Sequence, residues 1–137
     1  MEVNKEIGAS PHISSAHSRK KNEFSSYSFR SEIKKDCYGV RVSVSENEQE
    51  IGRLWLYILY NNLHKEPYGL LEDVFVEENH RAKGVGKKLV QSAIEEAKKI
   101  GCYKLIANTR SSREVVCAWY EKFGFKKHGV EFRMDLI

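Results

Sequence analysis

A length of 137 residues is enough for one domain with a genuine core and too short for two ordinary domains. Hydrophobic residues make up 41% of the chain and charged residues 31%, and no apolar run approaches the roughly 20 residues of a membrane span, so we expect a globular protein with no membrane partner. The net charge of +4 is a modest excess that suits a small anionic ligand at least as well as nucleic acid.

The first part of the chain differs in composition from the rest. Residues 1–23 are rich in Ser, Lys, Asn and His and show no sustained periodicity, which predicts a mobile polar tail. The basic cluster at residues 18–21 is the one segment of this tail that suggests nucleic acid. Residues 24–137 are predicted to form the single domain.

Three strands are predicted next. Val40, Val42 and Val44 alternate with polar neighbours, which is typical of a half-buried strand, and a polar turn separates them from a second apolar strand at residues 50–60. The two strands predict a hairpin. Pro67 and Gly69 then interrupt the chain before a third strand at residues 70–76.

A strongly amphipathic helix is predicted from Val85 to Ile100, with Gly101 as its C-terminal stop. A buried strand is predicted at residues 102–107, and a second helix capped by Ser111 or Ser112 is predicted to end at Gly124. A closing strand is predicted at residues 129–136. This order of elements predicts one mixed α/β sheet.

The segment between the third strand and the long helix carries the strongest chemical signal. Arg81, Gly84 and Gly86 lie in a polar loop that opens a helix, so that backbone N–H groups and the positive end of the helix dipole can face one anion. Two common phosphate loops are excluded. A Walker loop requires glycine at position 81 and Ser or Thr at position 88, and the dinucleotide fingerprint requires glycine at position 89, which is Leu89.

The pattern Arg81-x-x-Gly84-x-Gly86 resembles the acyl-CoA-binding motif of the GNAT N-acetyltransferase superfamily. The segment at residues 118–125, which contains Trp119-Tyr120-Glu121-Lys122, resembles a second signature of that superfamily, and residues 69–76 resemble the strand that presents the acetyl group. The resemblance implies a single α/β GNAT-like domain, in which a mixed, mostly antiparallel sheet is flanked by helices and the N-terminal part is shortened. It also implies acetyl-CoA as the acetyl donor. Because the short front half leaves the acceptor site incompletely walled, we expect a homodimer in which a second copy completes this site, through exchange of the closing strand at residues 130–136 as in relatives.

The resemblance also assigns site residues. The backbone N–H of Val74 would bind the thioester carbonyl oxygen and Tyr120 would protonate the departing thiolate, while either Glu72 or Asp73 would take the proton of the amine. Because neighbours on a strand point to opposite faces, we expect only one of these two carboxylates to face the acetyl group. The residues expected to contact the cofactor are Val74, Phe75, Val76, Arg81, Ala82, Lys83, Gly84, Val85, Gly86, Lys87, Asn108, Arg113 and Tyr120.

The acceptor is less well specified than the donor. Residues 72–74, 101–104 and 129–131 are similar to glucosamine-6-phosphate N-acetyltransferases, which points to an amino-sugar phosphate whose phosphate is bound by Lys104, Arg110 or Arg113. The alternatives are an amino acid, a polyamine, and a peptide or protein amine. An alternative of another class is a non-catalytic module that binds CoA or nucleic acid, with Trp55, Tyr57 and Tyr60 available for stacking on bases.

The three cysteines, Cys37, Cys102 and Cys117, are an odd number without metal-ligand spacing. They predict neither a disulfide framework nor a metal site. Reduced thiols and the lack of an apolar segment near Met1 predict a cytoplasmic protein.

Overall fold

The computed structural model describes residues 23–137. The tail predicted at residues 1–23 therefore lies, apart from Glu23, outside the described residues, and its boundary stays a prediction. The chain divides between Glu32 and Ile33, and every described helix and strand lies in the second unit, Ile33–Ile137. In the described part of the first unit, the rings of Phe24 and Tyr27 meet edge to face at 5.4 Å.

Three antiparallel strands form most of the sheet. Strand β1 (Tyr38–Glu46) and strand β2 (Gln49–Leu59) make the predicted hairpin. Asn47 and Glu48 close it with φ values of 48° and 65°, as a two-residue turn requires. Strand β3 (Tyr68–Val76) runs antiparallel to β2, and the short strand β4 (Leu105–Ala107) lies parallel to β3, in the order β1-β2-β3-β4. The predicted mixed, mostly antiparallel sheet is confirmed.

Helix α1 (Val85–Ile100) covers one face of this sheet because its apolar residues fall at three- and four-residue spacing. The buried core consists of side chains from β2, β3 and this helix, namely Leu54, Leu56, Ile58, Leu71, Leu89, Val90, Ala93 and Ala97. Gly101 ends the helix as predicted, with φ of 91° and its N–H bonded to the carbonyls of Ala97 and Lys98. No helix in the described part of the chain is both long and apolar enough to cross a bilayer.

Helix α2 (Glu114–Glu121) differs from its prediction at the N-terminal end. Neither Ser111 nor Ser112 caps it. The N-cap residue is Arg113, whose side chain forms no capping hydrogen bond, and the acidic Glu114 supplies the favourable charge in the first turn instead. The helix ends before Gly124, which has a φ of 98°.

The closing strand predicted at residues 129–136 is wrong for this sheet. Residues 125–137 form no regular structure, and the alternating apolar side chains of Val130, Phe132, Met134 and Leu136 are 80 to 92% exposed. Period-two alternation identifies a segment that can become a strand, but a strand also needs a partner with which to share backbone hydrogen bonds. No strand of the described residues provides one.

Candidate active site

The loop between β3 and α1 has a distinctive backbone conformation. It begins with one 3₁₀ turn at Glu78–His80, and Ala82 and Gly84 then take positive φ values of 60° and 85°. The first intrahelical bond of α1 runs from the Lys88 N–H to the Gly84 carbonyl at 3.1 Å. The N–H groups of Val85, Gly86 and Lys87 therefore precede the helical ladder and have no partner within it. A Cβ built on Gly84 would meet no atom within 4 Å, so the space beside this residue is open.

The loop begins with the acidic Glu77 and Glu78, and its charges toward the helix are positive. Arg81, Lys83 and Lys87 are exposed, and the first turn of α1 contains no acidic residue. The Nε of Arg81 donates to the carbonyl oxygen of Val76 at 2.9 Å, which folds this side chain back along the end of β3. The helix dipole and these side chains together favour an anion at this position.

Strand β3 has an unpaired edge next to the loop. Its pairing with β4 ends where Leu71 faces Ala107, although β3 continues to Val76. In the described part of the chain, no strand pairs with residues 72–76 on that side. The Glu77 N–H bonds to the Ile51 carbonyl on β2 at 2.8 Å, so alternation turns the N–H groups of Val74 and Val76 toward the unpaired edge.

A β-bulge interrupts β3 within this edge. Trp55 faces Glu72 and Arg53 faces Phe75, so that two residues, Asp73 and Val74, oppose the single residue Leu54. Asp73 takes a φ of 50°. The strict alternation assumed for Glu72 and Asp73 is therefore wrong at this point, because the extra residue changes the side to which each neighbour points. Asp73 is bound to Arg53, whose Nε lies 3.1 Å from its Oδ2.

Tyr120 lies near the end of α2 and is partly buried. Its ring meets Trp119 at 5.1 Å and Phe125 at 5.5 Å between centroids, both edge to face. Burial raises the pKa of Tyr120 above its ordinary value of 10.0, the negative charge of Glu72 raises it further, and the positive charge of Arg113 opposes both. The phenol therefore keeps its proton at neutral pH, with Glu72 and Arg113 in electrostatic reach.

The remaining predicted residues lie on both ends of β4. Asn108 is exposed and follows the strand, and Arg113 begins α2, so both lie on the side of the unpaired edge. Lys104 precedes β4, and its Nζ lies 5.1 and 5.3 Å from the ring centroids of Tyr68 and Tyr103. Lys104 therefore lies at the N-terminal end of β4, away from the unpaired edge, whereas Arg110 and Arg113, the other two residues predicted to bind an acceptor phosphate, follow its C-terminal end.

Two residues of this region were missed by sequence reasoning. Trp119 packs beside Gly86, since a Cβ at that glycine would lie 3.6 Å from the indole, and this joins the loop to α2. Arg53 holds Asp73 from the neighbouring strand, and cross-strand partners of this kind become visible only once the register is known. The sequence could have indicated Trp119, because this residue precedes Tyr120 in the second signature.

A groove of about 610 Å³ runs between the two helices and is lined by Trp119 and by residues in or directly after the two helices, namely Lys87, Gln91, Ile94, Glu95, Lys122 and Phe123. Of the predicted site residues, only Lys87 lines it. Among residues 23–137, no group of three or more His, Cys, Asp or Glu side chains could hold a metal ion. The expected lack of a metal stays a prediction.

Comparison with known proteins gives consistent results. Residues 10–125 match the Acetyltransferase (GNAT) family. The glucosamine 6-phosphate N-acetyltransferase of Trypanosoma brucei brucei is 40% identical over 68 residues, which are 50% of this chain and 44% of that enzyme. The chain thus spans less than half the length of this relative. The enzyme of the same name from Schizosaccharomyces pombe is 30% identical over 97 residues, which are 70% of this chain and 85% of that protein.

A solved structure of a Trypanosoma brucei acetyltransferase superposes with a TM-score of 0.66 at 29% identity, covering 72% of this chain and 69% of that one. The loop, the unpaired edge and the second signature thus occur together in a fold shared with acetyltransferases. The chain belongs to the GNAT acetyltransferase family.

Proposed function

We propose that the protein is an N-acetyltransferase that transfers an acetyl group from acetyl-CoA to a primary amine of a small molecule by direct attack. The observation that carries the proposal is the unpaired edge at residues 72–76, which leads directly into the loop between β3 and α1. An extended ligand can add to such an edge through backbone hydrogen bonds while its anionic end lies on the loop.

The donor site that we propose uses this geometry. The N–H groups at the start of α1, from Val85 to Lys87, would bind the pyrophosphate, and Arg81, Ala82, Lys83 and Gly84 complete the loop around it. The backbone groups of Val74 and Val76 that face the unpaired edge would bind the extended arm, with Phe75 between them, and Asn108 and Arg113 would close the other side. Acetyl-CoA supplies an electrophilic thioester carbonyl and a thiolate leaving group.

Three groups of the chain would then serve the reaction. The Val74 N–H would stabilise the negative charge that develops on the carbonyl oxygen. The neutral phenol of Tyr120, whose pKa is raised by burial, would give its proton to the thiolate. A carboxylate would accept the proton that the amine loses as it attacks.

Glu72 is the better base of the two carboxylates. Asp73 has its Oδ2 bound to Arg53 at 3.1 Å, so this carboxylate is already engaged by a partner within the sheet. Glu72 forms no ion pair or hydrogen bond with another described side chain, and its charge is felt by Tyr120. We therefore propose Glu72 as the proton acceptor and a structural role for Asp73.

For the acceptor we propose an amino-sugar phosphate. The support is the name shared by the two curated relatives, and the presence of Arg110 and Arg113 between β4 and α2, on the side of the unpaired edge. Guanidinium groups bind phosphate through paired, charge-assisted hydrogen bonds. A free amine without phosphate, such as an amino acid or polyamine, is the alternative that Glu72 alone would attract.

We further propose that the protein acts as a homodimer in the cytoplasm. The exposed alternation of residues 129–136 and the open outer edges of a four-stranded sheet support exchange of this segment between two copies. The three cysteines, all free thiols, support a reducing compartment.

The experiment is thiol release from acetyl-CoA in the presence of glucosamine 6-phosphate, glucosamine or spermidine, with the acetylated product identified by mass. We expect turnover with a preference for the phosphorylated sugar. Equal rates with glucosamine would remove the acceptor phosphate from the proposal and leave the acetyl transfer standing. No turnover with any amine, combined with thermal stabilisation by an oligonucleotide and not by CoA, would favour the binding module instead.

A further inference from the structure

Asp73 occupies a backbone position that normally belongs to glycine. Its φ of 50° is in the left-handed region, and in one common class of β-bulge the first bulged residue is a glycine in that conformation. Aspartate tolerates this region better than most residues, but it still needs surroundings that hold it there. The bulge therefore requires a local cause.

Arg53, on the neighbouring strand β2, contacts the bulge through its side chain. The Nε of Arg53 donates to Asp73 Oδ2 at 3.1 Å. Arg53 is also the cross-strand partner of Phe75, and its guanidinium carbon lies 4.6 Å from the centroid of the Phe75 ring. One side chain thus holds the residues on both sides of Val74. Glu50 steadies the same guanidinium, since its Oε1 lies 3.9 Å from Arg53 Nη1.

The orientation of Val74 depends on this arrangement. Glu77 and Phe75 fix the direction of the backbone N–H groups after the bulge, and the pairing of Glu72 with Trp55 fixes it before the bulge. Without the extra residue, these two alternating patterns would be out of phase by one residue. A relaxed, regular strand would change the side to which the backbone groups of Val74 or its neighbours point. The geometry at this edge is therefore a consequence of the bulge and of whatever maintains it.

We propose that Arg53 is a positioning residue for acetyl transfer: by binding Asp73 and stacking on Phe75 it maintains the bulge that turns the Val74 N–H toward the unpaired edge of β3. This inference rests on the proposed function, because it assigns to Arg53 the orientation of the carbonyl-binding group. Arg53 acts through Asp73 and contacts no substrate.

The test compares three variants. Arg53→Met removes the guanidinium and keeps an unbranched side chain. Arg41→Met is the matched control, because Arg41 lies on the adjacent strand, binds Glu50 at 2.7 Å and has no hydrogen bond to the bulge. The double variant Arg53→Met/Asp73→Gly places a glycine where the positive φ is needed, so that the bulge no longer depends on the guanidinium.

For Arg53→Met we expect kcat to fall at least about 10-fold, a fraction of the loss known for removal of a whole oxyanion donor, with KM for acetyl-CoA within about twofold. The Arg41→Met control should keep the wild-type kcat. The double variant should recover a large part of the loss, which a purely electrostatic role or a role in acceptor binding would not allow. Equal kcat in Arg53→Met and Arg41→Met, or no recovery in the double variant, would overturn the proposal.

A second readout does not depend on turnover. The amide resonance of Val74 in a ¹⁵N-labelled sample should move in Arg53→Met, stay in place in Arg41→Met and return toward its wild-type position in the double variant. If the wild type acetylates no amine, the proposed function fails, and this amide series still decides whether Arg53 maintains the bulge. A Val74 resonance that is unchanged in Arg53→Met would contradict the inference by itself.

Discussion

Tyr120 combines two properties that a proton donor to a thiolate needs. Its phenol is kept neutral, because partial burial and the charge of Glu72 raise its pKa, and it lies on the helix that follows the unpaired edge. Trp119 and Phe125 hold the ring on two sides by edge-to-face contacts. The hydroxyl can therefore be removed with little change in packing.

Tyr120→Phe should lower kcat by about 10²-fold or more, the ordinary contribution of a positioned acid, and leave CoA affinity within about twofold. Steady-state kinetics and calorimetry measure the two quantities. Tyr103→Phe is the control, because that hydroxyl is bonded to Asn61 Nδ2 at 3.1 Å on the far side of β4. A kcat that is equal in the two variants, with the chemical step limiting, would reduce Tyr120 to a packing residue.

The same pKa predicts how stability depends on alkaline pH. A folded-state pKa raised above the unfolded value of 10.0 means that the unfolded chain loses this proton first. The contribution of Tyr120 is then fully present below about pH 10 and is lost as pH rises through the folded pKa. Urea unfolding at a series of pH values should show a steeper alkaline loss of unfolding free energy in wild type than in Tyr120→Phe. Parallel curves would show that burial does not hold the phenol neutral.

The loop and the helix that follows it were the parts best predicted from the sequence. Local rules set both, since an amphipathic period defines α1 and glycines define its two ends. The positive φ of Asp73 could not be predicted from local rules, because we attribute it to contact with Arg53 in the neighbouring strand. The cap of α2 was also missed, since serine propensity at a helix start is weak beside the constraints of the loop that precedes it.

Gly84→Val should weaken CoA binding more than 10-fold, because the side chain would enter the open space beside the proposed phosphate site and the positive φ is unfavourable for a β-branched residue. Gly101→Val is a matched control at the other end of the same helix, with a φ of 91° and equally open surroundings. It carries the same backbone strain and should keep the wild-type affinity in calorimetry. Equal loss in both folded variants would mean that strain, and not the phosphate site, explains the effect.

The segment at residues 129–136 shows a limit of sequence reasoning at the level of assembly. Its alternation predicts a strand that the described residues do not form, and the pattern alone does not say which chain would supply a pairing edge. Within one copy, Phe132 is 92% exposed and Val130 80% exposed. Several exposed apolar side chains in one alternating segment are typical of an interaction surface, whereas a single exposed apolar residue is not.

Sedimentation velocity should therefore give about twice the 15.9 kDa mass of one chain. Phe132→Asp should shift the protein toward monomer, because a charge would be buried at the exchanged strand. Phe29→Asp is the control, since Phe29 is 86% exposed and lies outside the alternating segment. A fully active wild-type monomer, or a dimer that persists in Phe132→Asp, would exclude exchange of this segment.

The most direct test of the donor site is a map of backbone amide shifts on titration with CoA and with acetyl-CoA. Both ligands should move the amides of Val85, Gly86 and Lys87, because both carry the pyrophosphate that the loop would bind. Acetyl-CoA alone should add a large shift at Val74, whose N–H faces the unpaired edge. Saturation by either ligand with the loop amides unmoved, or with identical Val74 shifts for both, would contradict the assignment of this edge as the site of acetyl transfer.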